Sequence, residues 1–238
     1  MAKPCGMTAD KNRHASTGGV FITFEGGEGA GKSTQIRHLE RRLVEAGRRV
    51  LVTREPGGSH FAEAVRDVLL SPDTAPLSPL ASALAFYAAR ADHLDAKIRP
   101  ALADGAVVLC DRFSDSTRAY QGAAGGVDAT ILEAIDKIAV GATQPDLTIL
   151  LDLDPSIGLA RAQTRRATAQ TGAFIVADAF EGRQLEFHQK LRQGFLALAR
   201  AEAGRFAVVD AFRNELTIAD DIWRIVSTRC QIAHGETR

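Results

Sequence analysis

Apolar residues alternate along this chain between two textures. Short apolar runs at Val20–Phe24, Val50–Thr53, Val107–Cys110, Leu147–Leu153 and Phe206–Val209 are rich in Val, Ile, Leu and Phe, most of them without polar alternation. Runs without polar alternation predict strands buried on both faces, as in a parallel sheet. Between them, apolar positions recur at helical spacing. Ile36, Leu39 and Leu43 share one face, and Gly47 stands as a stop. Asp128 predicts a cap for a helix presenting Ile131, Ile135 and Ile138 and ending at Gly141. Asp154 followed by Pro155 predicts another start, and Asn214 opens a last helix carrying Ile218, Ile222, Ile225 and Val226. Strands and helices in this order predict one α/β domain, a five-stranded parallel sheet with helices on both faces. Its ligand belongs beyond the carboxyl ends of the strands, so residues there are the ones to read for chemistry.

Residues 1–18 stand apart from this pattern. They are polar and rich in Gly, Ser, Thr and Asn, with Lys3, Lys11 and Arg13 and no apolar stretch of signal-peptide length. They read as a disordered extension, with a basic targeting or nucleic-acid arm as the alternative, and the domain is 19–238. The 29 basic residues match the 29 acidic ones, which removes the charge footprint of a nucleic-acid-coating protein. Leu147–Leu153 is far shorter than the roughly 20 apolar residues a membrane crossing needs. Cys5, Cys110 and Cys230 are odd in number and scattered, which fits thiols in a reducing compartment, not a disulfide framework. The expectation is a soluble cytoplasmic protein with neither nucleic acid nor membrane as partner.

Chemistry begins directly after the first apolar run. Gly26-Gly27-Glu28-Gly29-Ala30-Gly31-Lys32-Ser33 fits G-x-x-x-x-G-K-[ST] at every fixed position, and Thr34 follows. A strand precedes it and a helix follows, the context a phosphate-binding P-loop requires. Glycines let successive backbone N–H groups turn inward around phosphate, and the helix N-terminus adds unpaired donors. Lys32 is placed to reach β/γ-phosphates and the Ser33 hydroxyl to hold Mg²⁺. Asp111, at the third strand's end, is where a second acid approaches Mg²⁺, with support of the P-loop Ser as the plainer role. The fold class is therefore a P-loop NTPase three-layer sandwich. GTPases, motor ATPases and small-molecule kinases share the motif, although no Asn-Lys-x-Asp run is present to read guanine.

The other strand ends narrow the choice. Thr53-Arg54-Glu55-Pro56-Gly57-Gly58 follows the second run, and Asp111-Arg112-Phe113 then Ser116-Thr117-Arg118-Ala119-Tyr120-Gln121-Gly122 follow the third. A helical stretch between them reads Phe86-Tyr87-Ala88-Ala89-Arg90. Arg54 and Arg112, just past two strand ends, suit a bidentate clamp on a phosphate monoester; isolated, each would read as a surface ion pair. Pro155–Ala177 has no acidic residue but carries Arg161, Arg165 and Arg166. This is either a solvated basic face or a lid that neutralises transferring charge.

With Glu25 joined to the P-loop and Leu151-Asp152-Leu153-Asp154-Pro155 before the Arg-rich segment, the chain resembles the thymidylate kinase family from roughly Val20 to Val226. The resemblance implies Mg²⁺-dependent phosphorylation of dTMP to dTDP by ATP, in dTTP synthesis, by a homodimer. It implies that Phe86 stacks on thymine and Arg90 donates to the 4-carbonyl. It places Thr117, Tyr120 and Gln121 at the pyrimidine edge and sugar, Tyr120 favouring deoxyribose, with Tyr87 in a packing role. Glu25 would orient the acceptor phosphate, a metal-bound water or a sugar hydroxyl. A P-loop with no internal Arg resembles the bacterial-type subgroup, whose catalytic arginine comes from the lid, here about 155–177 with Thr168–Gly172 as its pliable part. The alternatives are another nucleotide or deoxynucleoside kinase, or a silent nucleotide-binding scaffold.

Overall fold

The structure, a computed structural model, describes residues 18–71, 77–168 and 183–232, without the side chains of Arg166 and Thr168. The proposed extension lies outside the described residues apart from Gly18. Each apolar run is a strand: β1 (Val20–Glu25), β2 (Val50–Arg54), β3 (Val107–Asp111), β4 (Leu147–Asp152) and β5 (Phe206–Asp210). All pairings are parallel, in the order β2-β3-β1-β4-β5. Arg54 and Asp111 are the last residues of their strands, not residues beyond them, and Leu153 has left the sheet. The register sets Arg54 opposite Asp111, and Asp111 opposite Phe24. The chemistry-bearing residues thus line one edge of the sheet.

Side chains alternate across a strand, so each strand feeds two layers. On one face, Ile22, Leu109 and Ile149 pack with Ile36, Leu39 and Leu43 of α1 (Lys32–Glu45) and Ile218, Ile222 and Val226 of α9 (Glu215–Arg229). On the other, Phe21, Val108 and Cys110 pack beneath α3 (Pro79–His93) and α6 (Ala129–Ala139). Leu191 and Phe195 of α8 (Leu185–Ala201) cover Leu150 and Phe206. Helix α2 (His60–Leu70) packs on α3, and α3 continues through a π-helical turn at Leu94–Ile98 into α4 (Arg99–Ala103). Short α5 (Ser114–Thr117) runs into a second π-helical turn, Arg118–Ala123. Among the described residues no helix is long and apolar enough to cross a membrane.

Predicted caps form: Asp128 accepts from Thr130 N, Asn214 from Leu216 N, and Asp154 from Ser156 N. The predicted face of α6 is buried only in part, at Ile135, which packs against the core. Ile131 and Ile138 are 43% and 87% exposed, whereas Leu132 is in the core. That helix has two adjacent apolar stripes and packs on α3 through one of them, and spacing alone does not say which.

Candidate active site

Between β1 and α1 the chain turns through the P-loop, with Gly29 and Gly31 both left-handed (φ +66° and +91°). Gly29 is forced on two counts, because a Cβ there would lie 2.1 Å from the carbonyl oxygen of Gly158. Gly158 belongs to α7 (Pro155–Thr168), and a Cβ on it would lie 2.2 Å from the Glu28 carbonyl oxygen. P-loop and lid helix therefore meet backbone to backbone. Lys32 is buried, and its Nζ donates to the Gly26 and Gly27 carbonyls at 3.1 and 3.0 Å. Burial, and then Arg112, press its pKa below the ordinary lysine value. Ser33 Oγ donates to Asp111 Oδ2 at 2.8 Å, joining the first turn of α1 to the sheet edge.

A cleft of about 360 Å³ opens beyond these groups. From the predicted residues it brings together Glu28, Gly29, Ala30, Gly31, Lys32, Ser33 and Thr34 with Arg54, Phe86, Arg90, Asp111, Arg112, Thr117, Tyr120, Gln121 and Arg165. Arg112 has a left-handed backbone (φ +68°), a conformation that costs a non-glycine residue roughly 1–2 kcal/mol. Its Nη1 donates to the Gly26 carbonyl and Ser116 Oγ (3.1 and 3.3 Å), and its Nη2 to Glu28 Oε1 at 2.6 Å. The Tyr120 hydroxyl donates to the same Glu28 oxygen at 2.7 Å. Burial raises the Glu28 pKa, but Arg112 and Lys32 outweigh it and hold the group at about 2. Glu28 is thus an ionised acceptor at the cleft wall, a role beyond its place in the P-loop motif. Arg54 donates to both Glu63 oxygens, at 3.2 and 3.0 Å.

Arg90 is 2% exposed yet borders the cleft. Its Nε donates to Glu55 Oε2 at 2.6 Å and its Nη2 to Thr117 Oγ1 at 3.2 Å. Its Nη1 is buried with no hydrogen-bond partner among the described residues. Phe86 lies one helical turn earlier on α3 and borders the same space. Tyr87 packs away from the cleft, its ring 4.6 Å from the Arg90 guanidinium and its hydroxyl on Asp136.

Several predicted residues lie elsewhere. Glu25 does not border the cleft. It is fully buried, its Oε1 accepting from Phe113 N and Ser116 N (2.8 and 3.3 Å) and its Oε2 from Ser116 Oγ (2.6 Å). Burial and neighbouring Asp115 raise its pKa to about 7. Both its oxygens accept from the turn that carries Arg112, so Glu25 supports that turn and stands away from the cleft. Gly26 and Gly27 sit behind the cleft as acceptors for Lys32. Arg161 donates to the Ala211 carbonyl at 3.3 Å, beside the loop after β5, and does not border the cleft. The Arg166 side chain, and the lid from residue 169 onward, lie outside the described residues. Glu55, Arg66, Phe113 and Ser116 also line the cleft. Glu55, Phe113 and Ser116 fall within the T-R-E-P-G-G, D-R-F and S-T-R-A-Y-Q-G runs, whereas nothing in the sequence singles out Arg66.

A family model described as Thymidylate kinase matches residues 24–222. The chain is 52% identical to the thymidylate kinase of Caulobacter vibrioides over 195 residues, 82% of this chain and 89% of that protein. It is 49% identical to the thymidylate kinase of Solidesulfovibrio magneticus over 207 residues, 87% of this chain and 98% of that one. The crystal structure of thymidylate kinase from Ehrlichia chaffeensis superposes with a TM-score of 0.70 at 29% identity, covering 88% of this chain and 99% of that one. P-loop, arginine-lined cleft and near-complete coverage agree: the chain belongs to the thymidylate kinase family, whose members phosphorylate dTMP to dTDP with ATP.

Proposed function

We propose that dTMP binds with its base against Phe86 and Arg90 and its phosphate toward Arg54 and Arg112, facing ATP on the P-loop. The observation that carries the base assignment is Arg90, a buried guanidinium at the cleft wall with one NH₂ group unpaired. A buried donor without an acceptor is costly, and the 4-carbonyl of thymine supplies one. Cytosine offers an amino donor there instead. Glu28, ionised and fixed by Arg112 and Tyr120, suits a sugar hydroxyl, and Tyr120 narrows the space beside it.

A phosphate oxygen of dTMP attacks the γ-phosphorus in line as the bond to the β–γ bridging oxygen breaks and ADP leaves. Positioning and charge neutralisation dominate such a transfer, and no strong base is needed. Lys32 and Arg112 supply fixed positive charge, and Arg165 approaches from the lid helix. Ser33 and Asp111 present hard oxygen donors side by side at the phosphate end, which fits Mg²⁺ held by one or two protein oxygens plus substrate phosphates. Bound there, Mg²⁺ would neutralise charge on the ATP oxygens.

The reaction fits a cytoplasmic homodimer. Thiols at Cys110 and Cys230 are free, as a reducing compartment allows. Phe61 and Val68 of α2, Leu80 and Leu84 of α3, and Ile131 and Ile138 of α6 are exposed apolar residues on three helices packed in a row. Within each pair they share one helical face, which offers a second copy apolar surface to cover. Comparing kcat/KM for dTMP and dCMP in wild type and Arg90→Ala tests the base assignment.

A further inference from the structure

Arg90 is the visible end of a longer chain of hydrogen bonds. Glu55 Oε2 accepts from its Nε at 2.6 Å, and Glu55 Oε1 meets His93 Nδ1 at 3.1 Å. His93 Nε2 in turn meets Thr53 Oγ1 at 2.7 Å. All four side chains are buried, His93 completely, and neither His93 nor Thr53 borders the cleft. Thr53 lies in β2, paired with Cys110 of central β3, so the chain runs from the sheet to the guanidinium. Gly58 makes room for it: at φ +89°, a Cβ there would lie 2.3 Å from His93 Nε2. This gives the last glycine of T-R-E-P-G-G a physical reason.

We infer that Thr53, His93 and Glu55 are positioning residues that fix the Arg90 guanidinium for reading the base carbonyl, and so set the discrimination between carbonyl and amino pyrimidines. The inference rests on the assignment of Arg90 to the base. Arg has a long, rotamer-rich side chain, and its selectivity depends on the direction in which its free N–H groups point. Glu55 fixes Nε and Thr117 fixes Nη2, which leaves Nη1 with one set direction. A carboxylate held at one oxygen only would rotate. His93 holds the second oxygen, and Thr53 holds the ring. His93 and Thr53, which stand off the cleft, orient in this way a residue that touches the ligand without touching it themselves.

The test uses two amide replacements of His93. An Asn side-chain nitrogen falls where Nδ1 lies, so His93→Asn keeps the bond to Glu55. A Gln nitrogen falls where Nε2 lies, so His93→Gln keeps the bond to Thr53 and releases Glu55. Asn is also the smaller and leaves the larger cavity, so a mere packing role would make His93→Asn the more damaged variant. We expect His93→Gln to lower the ratio of kcat/KM for dTMP over dCMP by about ten-fold or more, through KM for dTMP, and His93→Asn by no more than about three-fold. At saturating dTMP, kcat stays within about two-fold in both, and KM for ATP does not move. An unchanged ratio in His93→Gln, or losses that follow melting temperature with Asn the worse, would overturn the inference. Arg90→Ala in the same assay separates the two claims. If it leaves the ratio intact, the base assignment fails; if it collapses the ratio while His93→Gln does not, the positioning role alone fails. Should both His93 variants fail to fold, Thr53→Val cuts the far end of the chain while keeping side-chain shape. A ratio lowered by about two- to five-fold then supports the inference, and an unchanged ratio overturns it.

Discussion

Glu25 and Glu28 stand three residues apart and are driven in opposite directions by what surrounds them. Glu28 meets Arg112 and Lys32 and stays ionised, while Glu25 is enclosed beside Asp115 and titrates near 7. Neither fate is legible in the sequence, which shows only two carboxylates flanking a P-loop. The partners of Glu25 come from the Phe113–Ser116 turn, far along the chain, and only the register of β1 on β3 brings them near. Arg90 and Phe86, by contrast, were legible through the family's own motifs, although the chain of groups behind Arg90 was not. Unfolded, Glu25 titrates near 4.5, so between 4.5 and about 7 the folded protein binds more protons than the unfolded one. Stability from this group is therefore greatest below that window and is lost as pH rises through it. Glu25→Gln keeps the shape and can keep the three hydrogen bonds. We predict that melting curves from pH 5 to 8 show a flatter pH dependence than wild type, with Glu25→Gln relatively more stable at the alkaline end. Parallel curves would mean that the Glu25 carboxylate carries no such cost.

Strands were the most legible elements, because a parallel sheet buried on both faces leaves short apolar runs rich in Val, Ile and Leu, unlike the equally apolar but Ala-rich helical run Ala83–Ala89. Helix α6 was legible at its ends, through Asp128 and Gly141, but not in its orientation, since Leu132 and the Ile131–Ile138 stripe are equally apolar. The contact between P-loop and α7 was invisible: Gly29 is expected in any P-loop, and Gly158 in the first turn of a helix looks merely unfavourable. Their backbone contact explains both. Gly158→Ala should stabilise an isolated helix by about 1 kcal/mol. Here it drives a Cβ into the Glu28 carbonyl and must tilt the helix that carries Arg165. We predict a kcat at least about ten-fold lower with KM for dTMP little changed, because Phe86 and Arg90 stand on α3. Steady-state kinetics decide it, and a more stable, fully active Gly158→Ala would show that the close approach has no part in catalysis.

Across the whole molecule, equal numbers of acidic and basic residues conceal an uneven distribution. Lys32, Arg54, Arg66, Arg90, Arg112 and Arg165 converge on one cleft, where only Glu28, Glu55 and Asp111 oppose them. Composition alone shows the balance of charge but could not reveal that concentration, which the fold makes by bringing strand ends and helix starts to one edge. The α2–α3–α6 face is the other property of the whole. Leu84→Glu places a charge in that apolar surface, and light scattering should find a dimer in wild type and a monomer in the variant. A dimer unaffected by Leu84→Glu would move the interface elsewhere. The central claim, that this cleft is a dTMP site read by Arg90, meets its most direct test in kcat/KM for dTMP, dUMP and dCMP. Wild type should prefer dTMP strongly over dCMP, with dUMP between them, since dUMP keeps the carbonyl and lacks only a methyl contact of about 1 kcal/mol. In Arg90→Ala, the account predicts that the dTMP:dCMP ratio falls by roughly 100-fold, chiefly through lost dTMP activity. A ratio preserved in a folded Arg90→Ala enzyme would contradict it.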